Sequence, residues 1–238
     1  MTRIDDMDAT APTLRSSSRA AALAIAATMC LLLFGCAPTA SPSGTSDPTP
    51  DQTEASDSTA DGPTFAAVGD SITDADSLDF AGGEFGPASW ARYMREAGYE
   101  FAGGWAEWGA TTALMAESVA PLDGETLVLL AGTNDVAFGV PFSETSANLD
   151  RIVETVGIAD VVVASIPPMD AYPSGAVELN RRLEELADDR GWRFVDASAG
   201  LRTVDGRFRD GMSFDGLHPS EEGARVLGEA IAGELRDG

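Results

Sequence analysis

The chain has 238 residues, 39 of them acidic and 15 basic, giving a formal charge of −24 at pH 7, with one histidine and two cysteines. All fifteen cations are arginine, so a pyridoxal Schiff base and a Walker A loop are excluded, and the lone histidine excludes the two-histidine helical zinc motif. So acidic a chain also makes a poor partner for nucleic acid, whose phosphates need clustered cations, while 44% hydrophobic and 23% charged residues suit a globular core.

Arg3, Arg15 and Arg19 precede an uncharged run, Ala20 to Phe34, in which only Thr28 is polar. As a helix it spans about 22 Å at ~1.5 Å per residue, short of a ~30 Å hydrocarbon core, and this length fits an export signal. Leu33-Phe34-Gly35-Cys36 resembles a bacterial lipoprotein lipobox, whose cysteine is acylated and becomes the new first residue. Phe34 is bulkier than that pattern's usual residue, and Asp5, Asp6 and Asp8 dilute the basic start. A plain secretory signal and an uncleaved anchor are the alternatives. Residues 1–35 are therefore read as a lipoprotein-type signal with Cys36 as lipidation site. Residues 36–63, almost wholly Pro, Ser, Thr, Asp, Gly and Ala, are read as a disordered linker, and 64–238 as the folded domain.

In that domain apolar segments alternate with helical ones. Strands are predicted over Phe65–Val68, Tyr99–Gly103, Thr126–Leu130, Val161–Ala164 and Phe194–Val195. Helices are predicted over Ser89–Ala97, over Ser143–Val156 with Ser143 as N-cap, over Val177–Arg190 ended by Gly191, and over Pro219–Leu235. The alternation implies an α/β fold, a three-layer α/β/α sandwich around a parallel sheet of about five strands. Ligands of such sheets bind at the carboxyl ends of the strands, so the turns there are where chemistry is expected.

Those turns carry Gly69-Asp70-Ser71-Ile72, Trp105-Ala106-Glu107-Trp108-Gly109 and Gly132-Thr133-Asn134-Asp135, and Asp215-Gly216-Leu217-His218-Pro219 precedes the last helix. Their order and contexts resemble the SGNH hydrolases, the GDSL esterase/lipase family, over about Phe65 to Leu235; Ile72 stands where the family name has Leu. The resemblance implies a flavodoxin-like fold and a serine esterase. Ser71 is the expected nucleophile. His218, the chain's only imidazole, is its base, and Asp215, three residues earlier, holds the imidazole tautomer. By similarity the oxyanion donors are the N–H groups of Ser71 and Gly109 and the Asn134 amide. The G-x-S-x-G nucleophile elbow of the α/β-hydrolases is absent from the sequence.

Each piece also has a structural alternative: Ser71 as a turn residue or helix cap, Gly109 as a bend, Asn134-Asp135 as a turn, and His218 as a cap. Asp135 is read as structural. Trp108, Asp170 and Tyr172 are the expected substrate-binding residues, with core packing or rigid-loop geometry as the alternative for their segments. Asp74, Asp76, Asp79 and Glu84 form an acidic loop without EF-hand spacing. No metal or organic cofactor is implied. The expected protein is an exported esterase acting on short acyl groups, such as acetyl on a carbohydrate, and held to a membrane by lipid on Cys36. A non-catalytic glycan-binding lipoprotein and an acyltransferase are the competing readings.

Overall fold

The structure, a computed structural model, describes residues 62–237. The expected signal, Cys36 and all but the last two residues of the expected linker lie outside the described residues. Five strands form one sheet: β1 (Thr64–Gly69), β2 (Glu100–Ala106), β3 (Thr126–Leu130), β4 (Asp160–Ala164) and β5 (Arg193–Val195), in the order β2-β1-β3-β4-β5. Every neighbouring pair is parallel. The chain moves from β1 outward to β2, then returns to the other side of β1 for β3. The order thus reverses at β1, and the carboxyl ends of β1 and β3 flank the crevice where such sheets take ligands.

Among the described residues seven α-helices connect and flank the strands: α1 (Ser71–Asp74), α2 (Trp90–Glu96), α3 (Thr112–Ser118), α4 (Thr133–Phe138), α5 (Phe142–Val156), α6 (Pro173–Arg190) and α7 (Glu221–Asp237). All five residues of β3 are buried, which demands cover on both faces of the sheet. The helices meet that demand in two contacting groups, α2 with α7, and α5 with both α3 and α6. In α5 the buried Leu149, Ile152 and Val156 repeat at spacings of three and four, the stripe a helix needs to face a sheet. Beside β1, the rings of Phe65, Phe80, Phe85 and Phe101 pack edge-on or tilted with centroids about 5 Å apart, tying the loop after α1 to the sheet.

Several boundaries differ from expectation. Helix α6 starts at Pro173, four residues before Val177, because proline's fixed φ and missing N–H suit a first turn. Helix α7 starts at Glu221 rather than Pro219, because Pro219 pairs across with Ser213 in an isolated bridge. Pro141, not Ser143, sits at the N-cap of α5. Strand β2 also outruns its predicted end, with Ala102 bulging out where Phe65 pairs with Phe101 and Ala66 with Gly103. The Tyr99 hydroxyl donates to Ala232 O at 3.1 Å and Arg193 donates to Glu234 O at 3.2 Å, fastening α7 to the start of β2 and to β5.

Candidate active site

The turn after β1 is built on close backbone approach. A Cβ at Gly69 would stand 2.0 Å from Thr73 Oγ1 and 2.8 Å from Leu130 O, so only glycine fits there. Asp70 caps α1, its Oδ1 accepting the Ile72 N–H at 3.0 Å. Ser71 is the first residue of α1 and is 7% exposed. Thr73 pins the turn from behind: its carbonyl accepts from Ser89 Oγ at 2.6 Å and its hydroxyl accepts from Trp90 Nε1 at 3.0 Å.

The turn before α7 is organised by Ser213, whose hydroxyl donates to His218 O at 2.7 Å and accepts the Gly216 N–H at 2.8 Å. Within it, Asp215 Oδ1 accepts the N–H groups of Leu217 and His218 at 2.9 and 2.8 Å. Asp215 Oδ2 lies 2.8 Å from His218 Nδ1, and His218 Nε2 lies 3.0 Å from Ser71 Oγ. With the Nδ1 proton directed at Asp215, the Nε2 lone pair faces the serine hydroxyl. Burial pushes the Asp215 carboxyl up, but the imidazole bond and the two N–H groups outweigh it and hold the carboxyl below its ordinary value. The Asp215 side chain is about half exposed (52%), so the pair orients the ring more than it stabilises the fold.

Two of the expected oxyanion donors, Gly109 and Asn134, lie on segments that a hydrogen bond joins. Gly109 has φ +72°, a conformation that favours glycine, with nothing within 4 Å of an added Cβ. The Asn134 amide donates to Ala110 O at 3.0 Å, one residue past Gly109, and reaches towards Asp70 Oδ2 at 3.5 Å, one residue before Ser71. A hydroxyl facing a neutral imidazole can bond to a carbonyl carbon while its proton passes to nitrogen.

Beside Ser71 and His218 opens a cavity of about 50 Å³, walled by Ile72, Ala75, Ala88, Trp108 and Phe214. Trp108 is 49% exposed and Phe214 67% exposed. The Trp108 ring rests on His218 with centroids 4.9 Å apart, and its Nε1–H donates to Asp74 Oδ2 at 2.8 Å. Burial raises the Asp74 carboxyl, partly opposed by that indole bond.

The structure separates Trp108 from the other two expected substrate-binding residues. Tyr172 lines a different hollow of about 230 Å³ among α4, α5 and α6. Asp170 is committed to the protein: its Oδ1 accepts the Phe208 N–H at 2.9 Å, its N–H donates to Gly216 O at 2.8 Å, and its carbonyl accepts from Arg207. It braces the turn that carries Asp215 and His218. Asp135 is likewise occupied, accepting from Thr112 N, Thr112 Oγ1 and Thr145 Oγ1 at 2.9, 2.6 and 3.1 Å. Among the described residues no three His, Cys, Asp or Glu side chains converge to hold a metal ion, and Asp79 and Glu84 instead pair their backbones across the acidic loop.

Sequence reading missed Asp70 and Ser213 as parts of this site, and it placed Asp74 in an acidic loop bordering the entrance without its bond to Trp108. Asp70 and Ser213 carried a usable local signal, since Asp and Ser side chains bond backbone N–H groups two or three residues on. Asp74 carried none, because its partner lies 34 residues away. Asp70 is wholly buried, and burial pushes its carboxyl up to about 7, against the opposing pulls of the Ile72 N–H and of His218. Close by, Thr133 Oγ1 is the one buried side-chain N or O atom among the described residues without a hydrogen-bond partner.

A family model described as "GDSL-like Lipase/Acylhydrolase family" matches residues 67–226, about two thirds of the chain. No curated protein sequence matches it. Among solved structures, a GDSL-like lipase from Bacteroides thetaiotaomicron is similar at 22% identity and TM-score 0.57, over 73% of this chain and 88% of its own. A member of the lipolytic G-D-S-L family from Veillonella parvula shares 18% identity with TM-score 0.58, covering 74% and 99%. A catalytic mutant of an acetylxylan esterase from Geobacillus stearothermophilus shares 18% identity with TM-score 0.55, covering 73% and 94%. At these identities the likeness is one of fold.

Proposed function

We propose, starting from the fact that the chain belongs to the GDSL-like lipase/acylhydrolase family, that this acylhydrolase removes short acyl groups, acetyl foremost, from an acylated carbohydrate. Ser71 Oγ attacks the ester carbonyl as His218 Nε2 takes its proton. The oxyanion is held by the N–H groups of Ser71 and Gly109 and by Asn134. His218 returns the proton to the leaving alcohol, and water then hydrolyses the acyl-enzyme by the same route in reverse.

The observation that carries this reading is the 3.0 Å contact between Ser71 and His218 opening onto a cavity of about 50 Å³. At about 10–15 Å³ of cavity per water-sized group, such a space takes the three heavy atoms of an acetyl group and not an octanoyl chain. Exposed Trp108 and Phe214 at its mouth offer apolar faces of the kind that lie against sugar rings. The fold shared with an acetylxylan esterase supports the same substrate class, and the charge of −24 disfavours polyanionic glycans.

The test is turnover of acetyl, butyryl and octanoyl nitrophenyl esters by the wild type beside Ser71→Ala. Acetyl is expected to lead and octanoyl to trail, with the serine variant down by about 10³-fold or more. Equal rates for wild type and variant on every ester, together with retained glycan binding, would replace the enzyme with a binding protein. Ester formation on an added alcohol in preference to hydrolysis would make it an acyltransferase.

Export to the outer face of a cell membrane, with lipid on Cys36, is part of the proposal and rests on the apolar run ending in Gly35-Cys36. Cys36→Ser is expected to abolish incorporation of a labelled fatty acid. Labelling that persists in the variant removes the anchor from the scheme.

A further inference from the structure

Trp108 stands at the mouth of the cavity, yet two of its surfaces are engaged inside the protein. Its ring lies against the His218 imidazole, tilted by 37° with centroids 4.9 Å apart, and its indole N–H is tied to Asp74 at 2.8 Å. Asp74 closes the single turn of helix that Ser71 opens. A closed circuit results: Ser71 to His218 by a hydrogen bond, His218 to Trp108 by ring contact, Trp108 to Asp74 by a hydrogen bond, and Asp74 to Ser71 through one turn of α1.

The circuit supplies something that Asp215 cannot. Asp215 and Ser71 hold the imidazole by its two nitrogens, in the plane of the ring, and leave its faces unrestrained. An aromatic face against one of them resists tilting out of that plane. It also favours the cationic ring created when His218 takes the serine proton, because the π face is electronegative. The anchor for that face comes from the nucleophile's own helical turn, so the base is registered to the serine from a second direction.

We infer that Trp108, anchored by Asp74, is a positioning residue for His218. The inference rests on the reading of Ser71 and His218 as the reacting pair. Trp108 acts through the base, and the substrate-facing role of its exposed edge is separate.

Three variants of the full chain separate this role from that of a simple cavity wall. Trp108→Leu removes both the face and the N–H. Trp108→Phe keeps a face without the anchor, and Asp74→Leu removes the anchor and leaves the indole. With kcat and KM measured separately on acetyl and butyryl esters, kcat is expected to fall about tenfold in Trp108→Leu and about threefold in the other two, with KM within about twofold on both esters. A changed acyl-length ranking or raised KM with an unchanged acetyl kcat makes Trp108 a wall only and overturns the inference. So does an Asp74→Leu enzyme with wild-type kcat. A wild type that turns over no ester above Ser71→Ala overturns the esterase reading as well, whereas an active wild type with an indifferent Trp108→Leu overturns this inference alone.

Discussion

Replacing His218 with alanine is expected to lower kcat on acetyl esters by about 10⁴- to 10⁶-fold while KM changes little. The size follows from the chain's composition as much as from its geometry. His218 is the only histidine, so no second imidazole can take over the proton, and Ser71 Oγ has its acceptor at 3.0 Å in that ring alone. Serine and base act as one unit, so the double variant Ser71→Ala/His218→Ala should be no slower than either single variant. A His218→Ala enzyme within about tenfold of wild type, with its melting curve intact, would move the base elsewhere.

Asp70→Asn is expected to stabilise the fold at alkaline pH. Burial raises the Asp70 carboxyl from 3.8 to about 7 in the folded protein. Between those values the native state binds a proton that the unfolded state has released, so stability falls as pH rises through that window and levels off above it. At ~1.36 kcal/mol per unit the full cost reaches on the order of 4 kcal/mol above pH 7. Asparagine keeps an oxygen for the Ile72 N–H and carries no charge to desolvate, so it escapes this cost. Urea unfolding at pH 5.5 and 8.5, both above the isoelectric point of about 4.1, should show the variant's advantage widening by about 2 kcal/mol over the 1.5 units between 5.5 and 7. Comparing variant with wild type removes the other carboxylates, such as Asp196 and Asp215, whose lowered values work in the opposite direction. An advantage that stays constant or shrinks with pH would mean that Asp70 is ionised throughout. A buried carboxyl next to the nucleophile is a local cost of the kind functional sites carry.

Much of this architecture was legible because its signals are local. Thr126–Leu130 is an unalternating apolar run, and it is a strand buried on both faces with the boundaries expected. Gly191, placed after the predicted helix, caps α6 at φ 67°. Helices α1, α3 and α4 were not foreseen: at four, seven and six residues they offer too few turns for a 3.6-residue period to emerge. Their caps were the better guide, Asp70 bonding Ile72 and Thr111 bonding Leu114. The same division runs through the site. Asp215 and His218 lie within one turn of each other and could be paired from spacing. Asp170 could not be told from a substrate contact, because the Phe208 N–H that occupies it arrives from 38 residues away.

The proposed nucleophile and base are 147 residues apart in sequence: Ser71 follows the first described strand and His218 precedes the last described helix. A ribosome therefore releases the serine long before the histidine, and the pair cannot exist on a chain from which His218 has yet to emerge. Closing so long a loop depends on α7 reaching α2 and the Tyr99 hydroxyl finding Ala232. A chain clipped before His218 would keep the serine and lack the only imidazole in the sequence.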